Sequence, residues 1–379
     1  MTGTDRPPRI LAFATQGAGG DDEQRLRALL ERVEGVEWFA FDRADKKRSG
    51  RELFRRIRAE RPDLVVMEGT GIAGGSALLS ARTLFGTRFV FSSGDAVGPF
   101  VAAIRPVLGP AFTAYEHMLY RRCSGFIGWT PYLVGRALSF GAPRAMTAPG
   151  WAPFRLDASE REAARIEARD RWGISRDALV IGIVGSLAWT PRRGYCYGWE
   201  LVNAMARVRR SDVRALIVGD GTGRPHLERA IAERCAGRCV LTGRVPREEV
   251  PRLLAAFDVA SLPQSLDGVG AFRYTTKISE YMAASLPIVT GELPFAYDLD
   301  GGWIRRIPGA APWDPRYHEA LAAWVDRLGA EELHALRAAV PTESSLFDRE
   351  RQSRATAAFL ASILNEARRD QNSRGATRS

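Results

Sequence analysis

The sequence predicts an α/β protein built from two doubly wound halves, each a parallel sheet covered by helices on both faces. Short apolar runs alternate with longer amphipathic stretches along the chain, a rhythm typical of βα units. Most of the runs are apolar on both faces, as strands buried between two helical layers are. The rhythm breaks once, at Pro149–Pro153, and then restarts, which divides 379 residues into two domains of ordinary size.

The first half contains five apolar runs that we predict to be strands, separated by amphipathic stretches that we predict to be helices. The strands are Ile10–Thr15, Val36–Phe41, Leu64–Glu68, Phe89–Ser92 and Phe126–Trp129. The helices include Glu23–Val33, Gly50–Glu60 and Ser76–Leu84.

The second half begins with a charged amphipathic stretch, Ala158–Trp172, and then repeats the same alternation. Its predicted strands are Leu179–Val184, Arg214–Val218, Cys239–Thr242, Val259–Leu262 and Pro287–Val289. Its predicted helices are Gly198–Val208, Pro225–Cys235, Pro251–Ala256 and Thr276–Ala284. We therefore expect domains over 1–152 and 153–344, a helix over 345–365 that packs back toward the first domain, and a disordered tail over 366–379.

The chain is basic, with 54 Lys and Arg against 44 Asp and Glu, a net charge of +10. Such a charge favours nucleic acid, an anionic membrane surface or a phosphorylated small molecule as partner. Nucleic acid is excluded, because no reading module and no interleaved aromatic residues are present. The densest run, Arg43–Arg61, carries nine basic and three acidic residues. It suits either a surface helix that covers the sheet or a contact with anionic headgroups or a phosphorylated acceptor.

The first twenty residues do not form a signal peptide, since the apolar stretch Ile10–Ala14 is short and is followed by glycines. No window of about 18 apolar residues predicts a membrane-spanning helix. The expected location is cytoplasmic, with peripheral contact at the inner face of the membrane as an option.

The four cysteines, Cys123, Cys196, Cys235 and Cys239, show no disulfide or metal-ligand spacing, which is typical of a reducing compartment. The four histidines are scattered, and none accompanies a Ser or Cys in a nucleophile elbow. The sequence therefore predicts neither a metal centre nor a hydrolase triad.

Glycine turns follow the first strand of one half and the second strand of the other. Gly17–Gly20, which includes Gly19, precedes a helix, and Gly219–Gly223 precedes another. Either turn could bring backbone N–H groups to a phosphate at a helix N-terminus. Either could equally be a tight turn ahead of a well-capped helix.

A helix is predicted to open at Thr275-Thr276-Lys277, with Glu280 one turn further along. Two hydroxyls, a cation and helix N–H groups can bind a diphosphate, and a carboxylate at Glu280 can accept hydrogen bonds from ribose hydroxyls. The alternative is a threonine cap and a solvated Lys–Glu face.

Two further loops contain charged residues that suit a phosphate or a metal. Arg192 and Arg193 lie in Gly185–Gly194, after the first strand of the second half, where paired arginines can bind phosphate or be simply exposed. Asp298-Leu299-Asp300 could hold a divalent metal, but it precedes two glycines, and the sequence favours a turn.

Read in order, the second half resembles the donor domain of retaining GT-B glycosyltransferases of glycosyltransferase family 4. The strongest match is LTGRVPREEVPRLLAAFDVASLP followed by KISEYMAASLPIVTGE. The resemblance implies two Rossmann-like domains that face each other across a cleft. It also implies a nucleotide-sugar donor site whose members are Gly19, Gly185, Ser186, Arg192, Arg193, Gly219, Arg244, Val245, Asp267, Thr275, Thr276, Lys277 and Glu280.

Within that implied site, Arg193 would bind phosphate, and Lys277 with Thr275 and Thr276 would bind the diphosphate. The backbone at Arg244-Val245 would meet the nucleobase, and Glu280 would bind ribose. Fixed cations and N–H dipoles suit a leaving nucleoside diphosphate, because charge develops on it as the bond to the sugar breaks.

Two positions depart from the family's pattern, and one position of the first half matches it. The family often has two glutamates with seven residues between them; Glu280 matches the second, whereas Phe272 occupies the place of the first, and Asp267 is the candidate replacement. Ser186 stands where the family has an arginine. Asp95, after a strand of the first half, lies where the family often has a catalytic histidine or aspartate.

We therefore expect a retaining glycosyltransferase of carbohydrate biosynthesis that needs no essential metal and no cofactor beyond its nucleotide-sugar co-substrate. Asp95, Arg193 and Lys277 are the candidate catalytic residues, and the acceptor is a saccharide, a lipid-linked molecule or another small molecule. The alternatives are a nucleotide-sugar epimerase of the same fold, a catalytically silent sugar- or nucleotide-binding protein, and a metal-dependent transferase built on Asp298-Leu299-Asp300.

Overall fold

The computed structural model describes residues 6–376 and divides into two compact units. Unit 1 comprises the chain up to Gly150, the short segment Phe272–Tyr274 and the residues from Ser345 onward. Unit 2 comprises Trp151–Ala271 and Thr275–Ser344. The sequence did not predict that three residues from the middle of the second half contact unit 1.

Unit 1 is built on a six-stranded parallel sheet with the order β2-β1-β3-β4-β5-β6 among the described residues. Strands β1, β3 and β4 are buried along their whole length, which explains why they read as continuous apolar runs. The six strands are β1 Ile10–Ala14, β2 Val36–Trp38, β3 Leu64–Glu68, β4 Phe89–Ser93, β5 Gly125–Gly128 and β6 Ala145–Thr147.

Helices connect these strands, and one further helix comes from the end of the chain. Thr130 accepts a hydrogen bond from the N–H of Leu133 at the start of α6, an N-cap that stabilises the helix start. The helices of unit 1 are α1 Asp21–Leu29, α2 Lys46–Glu60, α3 Ile72–Phe85, α4 Val97–Ile104, α5 Gly109–Arg122, α6 Pro131–Ser139 and, at the C-terminus, α15 Arg349–Ala376.

Unit 2 is built on a second parallel sheet, with the order β12-β11-β10-β7-β8-β9 in the described part of the chain. The first strand of this sheet, β7, lies in its middle. The chain continues through β8 to β9 on one side and then returns to add β10 on the other side of β7. The strands are β7 Leu179–Val184, β8 Val213–Val218, β9 Cys239–Gly243, β10 Val259–Ser261, β11 Ile288–Gly291 and β12 Ile304–Ile307.

The helices of unit 2 cover both faces of this sheet. Asp157 and Glu160 form a reciprocal capping box at the start of α7, which satisfies two backbone N–H groups. The helices are α7 Ala158–Arg171, α8 Trp199–Met205, α9 Arg224–Arg234, α10 Val250–Leu254, α11 Thr276–Ala283, α12 Pro294–Asp298, α13 Pro315–Arg327 and α14 Ala330–Ala338.

The predicted fold class is confirmed, and the differences lie at the edges. Strands β6 and β12 were not predicted; both are edge strands, and β12 carries two arginines between its isoleucines, so neither has a long apolar run. The predicted disordered tail differs from the structure over 366–376, because α15 continues to Ala376, whereas 377–379 lie outside the described residues. The segment after 365 contains no proline to end the helix.

The basic run Arg43–Arg61 forms α2, which covers the sheet of unit 1. Its residues Leu53 and Ile57 are fully buried, and Arg48 and Arg56 form ion pairs with nearby glutamates. These contacts support the interpretation of a surface helix, and contact with a membrane stays a prediction. None of the described helices combines the length and the hydropathy needed to cross a bilayer.

Asp258, just before β10, ties together several elements of unit 2. Its carboxylate accepts hydrogen bonds from Arg165 and Arg169 at 2.8 Å and from the N–H of Val180 at 2.6 Å, and it also pairs with Arg337. Burial alone would raise the pKa of the Asp258 carboxyl, but the three arginines outweigh it and lower that pKa. The Arg169 side chain is completely buried, so it depends on this carboxylate for its counter-charge.

We expect Asp258→Ala to lower the free energy of unfolding by about 3–5 kcal/mol, because it leaves the buried Arg169 guanidinium without its counter-charge. Denaturant unfolding of the full chain measures this change. The matched control is Glu167→Ala, which removes an exposed ion pair with Arg252 and should change stability by less than about 1 kcal/mol. Equal losses in the two variants would contradict this role of Asp258.

Candidate functional site

The predicted donor residues of unit 2 lie at the carboxyl edge of its sheet. Because all six described strands are parallel, the loops that follow them emerge on one side. The strand order reverses between β7 and β10, and such a reversal is where open α/β sheets bind ligands. The loops at this edge contain Gly185, Ser186, Arg192, Arg193, Gly219, Arg244, Val245, Asp267 and Thr275, and α11 adds Thr276, Lys277 and Glu280.

The N-terminus of α11 is not capped by a side chain of the protein. Thr275 occupies the N-cap position, with φ −82° and ψ 149°, but its hydroxyl makes no cap hydrogen bond. The Oγ1 atom of Thr275 is buried and has no hydrogen-bond partner among the described residues. Buried polar atoms normally have a partner, and the first turn of a helix presents free N–H groups. This helix end is therefore equipped to receive an anion.

Lys277 lies beside the glycine turn that follows β7. A Cβ atom at Gly185 would come 3.3 Å from Cε of Lys277 and 2.7 Å from the ring of Tyr197. The ammonium group of Lys277 lies 5.3 Å from the centre of that ring, and the hydroxyl of Tyr197 accepts a 3.0 Å hydrogen bond from Gln264. Tyr197 thus positions the lysine over the glycine turn.

Gly219, after β8, is required by a close approach of two backbones. Its φ is +142°, and a Cβ atom there would lie 1.9 Å from the carbonyl oxygen of Gly185. Its N–H donates to the carbonyl of Gly243 at 3.1 Å. The turns after β7, β8 and β9 are therefore packed side by side, and the exposed Arg244 and the half-buried Val245 follow directly.

Arg193 and Asp267 form an ion pair between the loops that follow β7 and β10. The Arg193 guanidinium is 2.9 Å from the Asp267 carboxylate and lies 4.3 Å from the centre of the Trp313 ring. Burial alone would raise the pKa of Asp267, but the N–H groups of Gly270 and Val269 and the charge of Arg193 lower it. The arginine is thus held in place by both a carboxylate and an aromatic face.

Glu280 lies one turn inside α11, where burial raises the pKa of its carboxyl while Lys277 and Arg247 oppose that effect. The carboxyl therefore shares its surroundings with two cations. Arg247 follows the predicted nucleobase residues closely in sequence, and the sequence analysis did not identify it.

A second carboxyl, Glu200 on α8, lies fully buried behind the β7 loop. It accepts hydrogen bonds from the hydroxyl of Tyr195 at 3.3 Å, from the N–H of Gly198 at 3.1 Å and from the hydroxyl of Ser261 at 3.1 Å. Tyr195 also packs against Trp313, 5.4 Å between ring centres. Glu200 therefore fixes the base of the loop that carries Arg192 and Arg193.

Two residues of the predicted set belong to unit 1. Asp95 forms a 2.6 Å ion pair with Arg273, a residue of the short segment assigned to this unit. The N–H of Gly19 donates to the Glu23 carboxylate at 2.6 Å. This N–H group is therefore already hydrogen-bonded within the protein, whereas a phosphate would need it as a donor. This contact favours the alternative of a tight turn ahead of a capped helix.

Unit 1 also holds a buried polar cluster at the carboxyl ends of its strands. Arg25 lies 2.7 Å from Glu68 and 3.2 Å from Ser92, also binds the carbonyl of Ala148, and covers the ring of Trp129. Burial raises the pKa of Glu68, and Arg25 opposes that effect. The sequence analysis missed this cluster, because its members are far apart along the chain.

The Asp298-Leu299-Asp300 segment ends α12 and forms the predicted turn. The Asp300 carboxylate accepts the N–H of Gly302 at 2.9 Å and pairs with Arg306, so its oxygens serve the turn. Over residues 6–376, no group of three His, Cys, Asp or Glu side chains is arranged to hold a metal ion.

The sequence analysis also did not identify three residues of this region, Tyr197, Glu200 and Trp313. Glu200 and Tyr197 resemble ordinary residues near a helix start, and Trp313 is 120 residues from Arg193 in the sequence. Only the spatial pairings in the folded unit identify them.

We expect Glu200 to make the stability of the protein pH-dependent. Burial raises the pKa of its carboxyl from 4.5 to about 7, so the folded state holds this proton more tightly than the unfolded chain. Its contribution is fully present below the unfolded pKa and is lost as the pH rises through about 7, a change of about 3 kcal/mol.

Glu200→Gln should remove this part of the pH dependence, as measured by Tm or denaturant unfolding from about pH 5 to pH 8. The control Glu233→Gln changes an exposed carboxyl and should leave the profile as in the wild type. A wild-type profile in Glu200→Gln would contradict the protonation of this buried group.

Part of unit 2 matches a known protein family. Residues 178–306 match the family described as "Glycosyl transferases group 1". The chain is 30% identical over 184 residues to the 2-deoxystreptamine glucosyltransferase of Streptomyces kanamyceticus, covering 47% of this chain and 45% of that protein. It is also 30% identical over 144 residues to the alpha-D-kanosaminyltransferase of the same organism, covering 38% and 33%. The matches thus span less than half the length of these curated relatives.

Solved structures resemble the chain over nearly its full length. The HepE protein of Anabaena in complex with UDP and glucose has a TM-score of 0.69 at 16% identity, with 94% of this chain and 100% of that chain covered. Sucrose-phosphate synthase from Thermosynechococcus elongatus has a TM-score of 0.63 at 16% identity, with 97% and 100% covered. Residues 178–306 therefore match the glycosyl transferases group 1, and the chain has the GT-B fold.

Proposed function

We propose that this protein transfers a sugar from a nucleoside-diphosphate sugar to a hydroxyl of a small acceptor, with retention of the anomeric configuration. The observation that carries the proposal is the uncapped start of α11. There the unpartnered hydroxyl of Thr275 and the ammonium group of Lys277 lie at the strand-order reversal of a family-matched sheet.

The diphosphate would lie across the first turn of α11 and the glycine turn after β7. N–H groups of the helix and the Lys277 ammonium would bind its oxygens, and Arg193 would add a second cation. As the bond between the sugar C1 and the phosphate oxygen breaks, negative charge grows on the diphosphate. Cations already fixed in place stabilise that charge more than they stabilise the bound donor, which lowers the barrier.

The nucleoside would extend toward Glu280 and the turn after β9. Glu280, partly buried beside Lys277, would accept hydrogen bonds from ribose hydroxyls. The backbone of Arg244 and Val245 would meet the base. UDP or UDP-glucose is bound in the HepE structures, which makes uridine the first nucleoside to test.

Retention requires the new bond to C1 to form on the face that the diphosphate leaves. In our proposal a phosphate oxygen of the departing diphosphate takes the proton of the acceptor hydroxyl, so no side chain needs to act as base. Lys277 and Arg193 supply the positive charge, which makes a metal ion unnecessary. Asp267, which pairs with Arg193, would orient that arginine or contact the donor sugar.

The names of two curated relatives guide the choice of acceptor. One curated relative is named for glucosyl transfer to 2-deoxystreptamine and the other for transfer of a kanosaminyl group. We therefore propose a small polar acceptor such as an aminocyclitol or a saccharide. Asp95, paired with Arg273 in unit 1, is the residue that the sequence nominates on the acceptor side.

Lys277→Ala should weaken UDP binding by about 10- to 100-fold, because a charge-assisted hydrogen bond contributes about 1.5–3 kcal/mol. Glu280→Ala should weaken it by about tenfold through loss of the ribose contact. Isothermal titration calorimetry on the full chain measures both effects.

The matched controls are Lys47→Ala in α2 and Glu233→Ala in α9, which change exposed residues of the same types. Both should bind UDP as the wild type does. Wild-type affinity in Lys277→Ala and Glu280→Ala together would overturn the proposed donor site.

With UDP-glucose and 2-deoxystreptamine in the presence of EDTA, we expect a glycoside with the α configuration of the donor. Nuclear magnetic resonance of the product reports its anomeric configuration. A β product, or activity lost in EDTA and restored by Mg²⁺, would contradict the proposed chemistry. A new sugar isomer formed from the donor alone would identify an epimerase instead.

A further inference from the structure

Cys235 and Cys239 lie close enough in unit 2 to react with each other. Their sulfur atoms are 3.6 Å apart, and both residues are free thiols. Cys235 follows the last residue of α9, and Cys239 is the first residue of β9. The spacing of the cysteines gave no sign of a disulfide, so this pairing comes from the fold.

A tight turn brings the two thiols together. The N–H of Arg238 donates to the carbonyl of Cys235 at 3.0 Å, and Gly237 supports the turn with a φ of +74°, a value that glycine adopts without strain. Strand β9 is the edge strand of the described sheet. An edge strand pairs with a neighbouring strand on one side only, so its start can shift without breaking hydrogen bonds to a second strand.

The surroundings of the pair favour a thiolate. The hydrogen bond from Cys239 lowers the pKa of the Cys235 thiol, and Arg238 and Arg234 lower it further, whereas burial opposes them. The same shared hydrogen bond raises the pKa of Cys239. The first of the two thiol protons is therefore lost more readily than the second, and the remaining proton is shared between the two sulfur atoms.

The other two cysteines provide an internal contrast. Burial raises the pKa of the Cys123 thiol to about 12, and burial together with Glu200 raises that of Cys196 to about 12. Both side chains are buried, and the Cys123 sulfur donates a hydrogen bond to the carbonyl of Tyr120. Cys239, by comparison, is partly exposed.

We propose that Cys235 and Cys239 form a redox-active dithiol that closes into an intramolecular disulfide by exchange with a small disulfide such as glutathione disulfide. The Cys235 thiolate takes the proton of Cys239, whose sulfur is the more exposed of the two, so Cys239 reacts first. It attacks one sulfur of the small disulfide, and one small thiolate leaves. Cys235 then loses its proton and attacks the Cys239 sulfur, which expels the second small thiol. The protein loses two hydrogens, and the small disulfide is reduced to two thiols.

A metal site is a weaker use of the same pair. A structural zinc ion takes four ligands, and the described residues contain no cluster of three His, Cys, Asp or Glu side chains that includes these sulfurs. Two thiols alone suit disulfide formation, and this chemistry does not depend on the proposed glycosyl transfer.

The test incubates the full chain with oxidised glutathione, alkylates the remaining thiols under denaturing conditions and maps the peptides by mass spectrometry. We expect one linked peptide that joins Cys235 to Cys239, with Cys123 and Cys196 alkylated, and we expect dithiothreitol to reverse the link. Four alkylated cysteines, or glutathione left on Cys239 without an internal bridge, would overturn the proposal.

The Cys235→Ser variant separates the two steps of the exchange. It should retain glutathione on Cys239, because no second thiol remains to expel it, whereas Cys123→Ser should form the internal bridge as the wild type does. A Cys235→Ser protein that stays unmodified would contradict the reactivity assigned to Cys239.

Discussion

All strands of the unit 2 sheet run in one direction, so the loops that follow them share a single edge. The first strand of this sheet, β7, lies in its centre. The chain then adds β8 and β9 on one side of β7 and β10 on the other side. The loops after β7 and β10 therefore diverge, and α11 follows the second of them with its N-terminus at the edge. The positions of Lys277, Gly185 and Arg193 all follow from this arrangement.

The cations at this edge are held by contacts within the protein that a bound diphosphate could share. Arg193 is held by Asp267 and stacked on Trp313, and Lys277 lies over Tyr197 near Glu280. These contacts keep the cations in place, so less conformational entropy is lost when an anion binds. The exception is the hydroxyl of Thr275, which is buried with no hydrogen-bond partner among residues 6–376 and marks where binding adds a new contact.

Behind this surface lies a layer of buried polar residues that holds the loops. Glu200 joins Tyr195, Gly198 and Ser261, while Asp258 joins α7 and α14 to β7. A buried carboxyl is tolerated only when its hydrogen bonds are satisfied. Burial acts to raise the pKa of both carboxyls, but three arginines reverse this effect at Asp258, so only the pKa of Glu200 is raised overall.

The sequence was sufficient to predict the elements whose signal is local. Strand β7 and the start of α11 are marked by an apolar run and by Thr-Thr-Lys, and both occur as predicted. Pairings between distant residues left no local signal: Arg193 with Trp313, Asp95 with Arg273, and the Arg25 cluster. The Cys235–Cys239 contact was missed for a different reason, since it depends on the turn at Gly237 rather than on spacing.

The central claim is that the carboxyl edge of the unit 2 sheet binds a nucleoside diphosphate. Amide hydrogen exchange of the full chain, with and without saturating UDP, tests it most directly. The account predicts slower exchange over 185–194, 219–223, 243–247 and 275–280, the segments that form this edge. Unchanged exchange in all four segments, or protection confined to unit 1, would contradict it.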